Sequence, residues 1–135
     1  MDNSQRARIA RYAQVRKAKE LSRHDDSLLS FNQRMFRTIL SKSLEIIEWN
    51  HEVEQDGIPL WFDAYVMVNL ERGKKRACMV DRQPPTGYSD KYSKLQRERK
   101  QTYCTTLSIP YLIAPHSRMQ AELMIFKLKV QRGEL

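Results

Sequence analysis

The chain reads as an α/β protein: a mixed four-stranded sheet flanked by helices, with an additional basic helix at its N-terminus. Three features carry that expectation. Apolar residues recur at helical spacing near both ends of the chain. Between them lie three stretches rich in β-branched and aromatic residues, separated by turn signals. A fourth, short apolar stretch follows a long basic helix, so the order is α-α-β-β-β-α-β-α, which implies a mixed sheet with helices on both faces.

Each element has its own signal. Residues 3–21 hold no helix breaker and space Ile9, Tyr12, Val15 and Lys19 along one side, a thin stripe that suits light docking or a projecting arm. After the polar linker 22–26, Ser27 is the expected N-cap of a second helix whose face carries Leu28, Phe31, Met35, Ile39 and Leu40. The first strand covers residues 44–53 and ends at the turn signal Gln55-Asp56-Gly57. The second, 61–70, alternates most clearly, with Phe62, Ala64, Val66 and Val68 on one face and Asp63, Tyr65, Met67 and Asn69 on the other. A turn at Arg72-Gly73-Lys74 leads into the third strand, 76–83, which Pro84-Pro85 ends because proline cannot continue a ladder. Ser89 or Asp90 then caps a basic helix reaching about Leu107. Residues 109–114 form the short apolar strand, and a final helix over 116–130 turns Met119, Leu123, Phe126 and Val130 inward.

At 135 residues, with 30% charged and 41% hydrophobic positions, the chain suits one small domain. The division expected is a basic arm over 1–24 and a single α/β domain over 25–135. Collagen-like and wholly disordered classes are excluded by this composition. No apolar run approaches the roughly 18 residues of a membrane span, and the Arg-rich start lacks a secretory signal, so a cytoplasmic protein is expected. Cys78 and Cys104 lie among hydrophobic residues without metal-type spacing and read as buried thiols.

The charge is more informative. Twenty-four Lys and Arg stand against 16 Asp and Glu, a net +8 that favours a polyanionic partner. It is segregated: Arg6, Arg8, Arg11, Arg16 and Lys17 lie in the first helix, and Lys91, Lys94, Arg97, Arg99 and Lys100 in the third. A solvated helix face is the alternative for either cluster; as a phosphate-contacting surface they fit DNA, with RNA left open. Tyr88, Tyr92 and Tyr103 beside the second cluster could stack bases or pack the helix. His24, His51 and His116 are too scattered for a metal set, and no Gly-rich phosphate loop is present.

Two carboxylates interrupt apolar strand sequence, Asp63 opening the second strand and Asp81 near the end of the third. Burying such groups is costly unless they are paired, hydrogen-bonded or metal-bound. Paired carboxylates suit Mg²⁺, which prefers oxygen ligands and keeps several waters, and such a site serves phosphodiester cleavage. Salt bridges to Arg82 or Lys75 are the structural alternative. A three-residue hairpin loop with Glu71 opposite Lys75 sets Asp63 opposite Gln83 and Tyr65 opposite Asp81, all on one face. A two-residue loop puts the aspartates on opposite faces, and the residues leave both open.

These residues resemble the PD-(D/E)XK nuclease superfamily, above all TnsA-like transposon endonucleases and very-short-patch-repair-type nucleases. The resemblance rests on the α-β-β-β-α-β order, on Asp63 opening the second strand and on the acidic-x-polar triplet Asp81-Arg82-Gln83. It implies a restriction-endonuclease-like αβββαβ core over residues 31–114 and a metal-dependent endodeoxyribonuclease, or an endonuclease-like subunit of a recombination or transposition complex. Asp63 and Asp81 are then the ligands of Mg²⁺ or Mn²⁺, Gln83 stands at the catalytic lysine position, and Gln33 takes the place of the first-helix glutamate. Glutamine cannot act as a cation, and Lys91 or Lys94 from the next helix could supply a migrated one. The implied partners are DNA, proteins of such a complex and a second copy of the chain. A reading from another class is a non-catalytic nucleic-acid-binding or protein-adaptor domain whose aspartates are structural.

Overall fold

The computed structural model describes residues 2–83 and 91–135, with the backbone alone at 91 and 92. Its elements are α1 (Asn3–Arg23), α2 (Phe31–Ser43), β1 (Glu45–Gln55), β2 (Ile58–Asn69), β3 (Lys75–Arg82), α3 (Lys91–Thr106), β4 (Tyr111–Ala114) and α4 (Met119–Gln131). The strands form one mixed sheet in the order β1-β2-β3-β4. β2 runs antiparallel to β1 and β3, and β4 runs parallel to β3. The α/β class with a helix-flanked mixed sheet is therefore what the chain adopts. Pro84, Pro85, Tyr88, the caps Ser89 and Asp90, and the side chains of Lys91 and Tyr92 lie outside the described residues. Among the described residues no helix is long and apolar enough to cross a membrane.

One face of the sheet carries Ala64, Val66, Val68, Cys78 and Val80 against Phe36 and Leu40 of α2 and Leu123, Phe126 and Val130 of α4. The other carries Met79 and Phe62 against Tyr103 and Cys104 of α3, with Ile109 and Tyr111. Burial pushes both cysteine thiols up to about 12, so they are inert packing groups. Phe62 departs from the expected alternation, since it belongs to the α3 side although Ala64 two residues on belongs to the other. The break coincides with Asn50 on the neighbouring strand, which lies between the pairs Trp49↔Ala64 and His51↔Phe62 and has a left-handed backbone, φ 49°.

The start of α2 differs from expectation. Ser30, not Ser27, is its N-cap: the Ser30 hydroxyl accepts from the Gln33 N–H, and the Gln33 side-chain oxygen accepts from the Ser30 N–H at 2.8 Å. That capping box satisfies two orphan groups, whereas Ser27 lies in a short 3₁₀ turn, Asp26–Leu28, capped by Asp25. The face rotates with it. Phe36, Arg37 and Leu40 are buried and Leu28, Phe31 and Met35 are exposed.

The β2–β3 hairpin also differs. Tyr65 pairs with Met79 and Asn69 with Lys75, and the Leu70 N–H donates to the Lys74 carbonyl. The loop has three residues, Glu71–Gly73, one position earlier than Glu71 opposite Lys75 requires. Three-residue hairpin loops end on a left-handed residue, and Gly73 (φ 71°) takes that place more readily than Lys74 would. Asp63 therefore comes directly opposite Asp81, rather than opposite Gln83.

Candidate functional site

Asp63 and Asp81 stand where the β2–β3 ladder opens, and their side chains replace backbone acceptors across the gap. The Asp63 N–H donates to Asp81 Oδ1 at 2.7 Å, and the Arg82 N–H donates to Asp63 Oδ2 at 2.7 Å. Each carboxylate is thus fixed by the backbone of the facing strand. Asp81 is buried and Asp63 partly so. The remaining oxygen of Asp81, Oδ2, takes a 2.9 Å ion pair from Lys100 Nζ and a 2.5 Å bond from the Tyr111 hydroxyl. These are charge-assisted bonds, short and strong in a water-poor setting.

Lys100 reaches this point because Gln96, Lys100, Tyr103 and Cys104 share the sheet-facing side of α3. Its ammonium also lies 5.3 Å from the centre of the Phe62 ring, a cation–π contact on the enclosed side. Tyr111 opens β4 beside Met79, its parallel partner, and so shares a face with Asp81. A pocket of about 160 Å³ opens over this group, lined among others by Asp63, Asp81, Gln96, Arg97, Lys100 and Tyr111. On its other side Asp63 borders a small cavity of about 20 Å³ shared with Gln33 and Arg37.

Electrostatics follow from this placement. Burial, reinforced by the charge of Asp81, holds the Asp63 carboxyl above its ordinary range, against the pull of the Arg82 N–H, Lys100 and Lys19. The Tyr111 hydroxyl is pushed upward by burial and then by Asp81, so it stays a proton donor. Arg37, stacked on Trp49 and paired with Asp26, is pushed downward by burial. Lys100 pairs with one member of the acid pair, and carboxylate oxygens are the hard donors that Mg²⁺ or Mn²⁺ takes. Asp63 and Asp81 are the residues that could hold such an ion, leaving most of its shell to water. Among the described residues no group of three or more His, Cys, Asp or Glu side chains could share in it.

The expected site residues are therefore only partly brought together. Asp63 and Asp81 meet, and Gln33 approaches Asp63, with its side-chain oxygen committed to the α2 cap. Gln83 is exposed at the strand end, its N–H bonded to the Ala114 carbonyl, and does not line the pocket. Neither salt-bridge alternative forms: Lys75 pairs with Glu45, and Arg82 reaches Asp63 through its backbone. Lys94 is exposed, while Lys100, expected among phosphate contacts, is, among the described residues, the cation paired with the acid pair. Its place one turn before Tyr103 and Cys104 on an apolar helical stripe was the available signal. Nothing in the sequence singled out Tyr111. Of the basic residues in α1, Arg16 is paired with Glu52 at 2.7 Å, and Arg6, Arg8, Arg11 and Lys17 are exposed. In α3, Arg97 is exposed at the pocket and Arg99 half-buried.

No family model, no curated protein and no solved structure matches the chain. The functional reading accordingly rests on the site itself.

Proposed function

We propose that the chain is a DNA-binding protein of restriction-endonuclease-like fold whose Asp63–Asp81 pair serves metal-dependent phosphodiester hydrolysis, as an endonuclease or an endonuclease-like subunit of a recombination or transposition complex. The observation that carries this reading is the direct opposition of two carboxylates across β2 and β3, with Lys100 on one of them, at the floor of a pocket edged by Arg97. The order α2-β1-β2-β3-α3-β4, with β4 parallel to β3, supports the fold assignment.

Mg²⁺ or Mn²⁺ held by Asp63 and Asp81 would supply charge neutralisation at the phosphate and acidify a water. The protein's own groups have separate tasks. The Asp63 and Arg82 N–H groups fix the two carboxylates before substrate arrives. Tyr111 orients Asp81, and Lys100 meets negative charge that develops on the phosphate oxygens. Arg97 draws the backbone toward the pocket.

A second reading is favoured by a specific observation: Lys100 and Tyr111 already satisfy Asp81 Oδ2, and Gln83 and Gln33 carry no charge. In that reading Lys100 stands in for a cation and the domain binds DNA without cutting it. Nicking of supercoiled plasmid separates the two. A nuclease nicks with Mn²⁺ or Mg²⁺, falls to background in D63N and D81N, and loses about a hundredfold in K100M, the scale of one lost electrostatic donor. Wild-type nicking no greater than that of D63N would leave the non-cleaving reading in place.

A further inference from the structure

We propose that α4 pairs with α4 of a second copy of this chain, antiparallel and about a two-fold axis. The inference does not depend on the nuclease reading. Met119, Leu123, Phe126 and Val130 bury one side of α4. On the opposite side Met124 is 56% exposed, Ile125 47% and Leu128 41%, and Ala121 is exposed as well. Positions 121, 124, 125 and 128 have the spacing of a single stripe. The helix is thus apolar on two sides, and the chain covers one of them.

The charges beside the stripe identify the occupant. Glu122 and Lys129 are seven residues apart and so lie on the same flank, about two turns from each other. Among the described residues neither is in a salt bridge within the chain. A two-fold axis beside Met124 and Ile125 lays Ala121 of each helix against Leu128 of the other. It also brings Glu122 of each copy to Lys129 of the other, giving two symmetric ion pairs. Parallel pairing would carry the Glu122–Lys129 flanks of the two copies to opposite sides of the seam, where neither ion pair forms. At its Leu128 end the stripe meets a groove of about 450 Å³ beside Leu70 and Arg132, where the start of the second helix would seat.

α4 lies on the sheet face opposite α3, so the pairing leaves the pocket over Asp63 and Asp81 open in both copies. One helical stripe offers less than the roughly 800 Å² per partner typical of stable complexes, so the dimer should be weak and reversible.

Sedimentation velocity on the full chain over a wide concentration range tests this. The expected result is a reversible monomer–dimer equilibrium that I125E weakens by at least about tenfold. E122K and K129E should each weaken self-association severalfold, and mixing the two should restore it, because every contact in the mixed dimer then joins opposite charges. A chain that stays monomeric throughout overturns the proposal, as does a dimer indifferent to I125E. A mixture that associates no better than its components overturns the antiparallel geometry.

Discussion

Asp63 has two needs that conflict. Its backbone N–H and its Oδ2 hold the acid pair in place, while burial and the neighbouring Asp81 charge penalise its ionised form. An acid that binds its proton more tightly when folded stabilises the protein fully below the carboxyl range of the unfolded chain. That stability is lost as pH rises through the folded value. D63N should remove this loss. Its side-chain oxygen can still accept from the Arg82 N–H, and its amide can donate to Asp81. The expected outcome, without divalent cation, is a thermal midpoint a few degrees above wild type at neutral pH and equal to it at low pH. Added Mn²⁺ should raise the midpoint of wild type and leave D63N unmoved. A wild-type midpoint higher than that of D63N at neutral pH would mean that the ionised carboxylate is a net structural asset. Stability gained by disarming a site is what a functional carboxylate, as opposed to a structural one, should give.

At the scale of elements, local hydrogen bonding decides where helices and turns begin. The Ser30–Gln33 box sets the start of α2 and thereby brings Arg37 and Gln33 to the back of Asp63. S30A should cost about 1 kcal/mol in chemical denaturation, with an unchanged denaturant slope because the surface exposed on unfolding is the same. The same contest explains what could be read in advance. Val66 and Val68 in β2 and Leu123, Phe126 and Val130 in α4 were legible because burial imposes a clear period on them. α1 was legible in part: Tyr12, Val15 and Lys19 are its half-buried side, whereas Ile9, expected on the same stripe, is exposed. The hairpin register was not, because loops over Glu71–Gly73 and over Arg72–Lys74 are both chemically admissible; the loop holds Arg72 (φ 60°) and Gly73 (φ 71°) left-handed, and only glycine does so without strain. Gly73 decides it, and with it the meeting of Asp63 and Asp81. Lys100 was hidden for another reason. A lysine within a run of basic residues looks like a surface charge, and its spacing from Tyr103 and Cys104 is the one feature of the sequence that sets it apart from Arg97 and Arg99.

At the scale of the whole molecule, the net charge of +8 is not a uniform coat. α1 docks from Tyr12 onward, through the Tyr12–Trp61 contact, the Arg16–Glu52 pair and the bonds from Arg23 to the Trp49 and Asn50 carbonyls. Its first turns, carrying Arg6, Arg8 and Arg11, are exposed. On a duplex, each phosphate neutralised contributes about 0.9 to the slope of log affinity against log salt concentration. If these three arginines lie along DNA, the R6A/R8A/R11A variant should lower that slope by nearly three. R16A should leave it almost unchanged, because Glu52 already neutralises that guanidinium. Fluorescence anisotropy of a labelled duplex, titrated at several salt concentrations in chelator so that no cleavage intervenes, reads both slopes. A triple variant that keeps the wild-type slope would take α1 off the DNA and make its exposed arginines a docking arm for a protein partner. A variant that lowers the slope would extend the binding surface beyond the α3 side to the projecting start of α1.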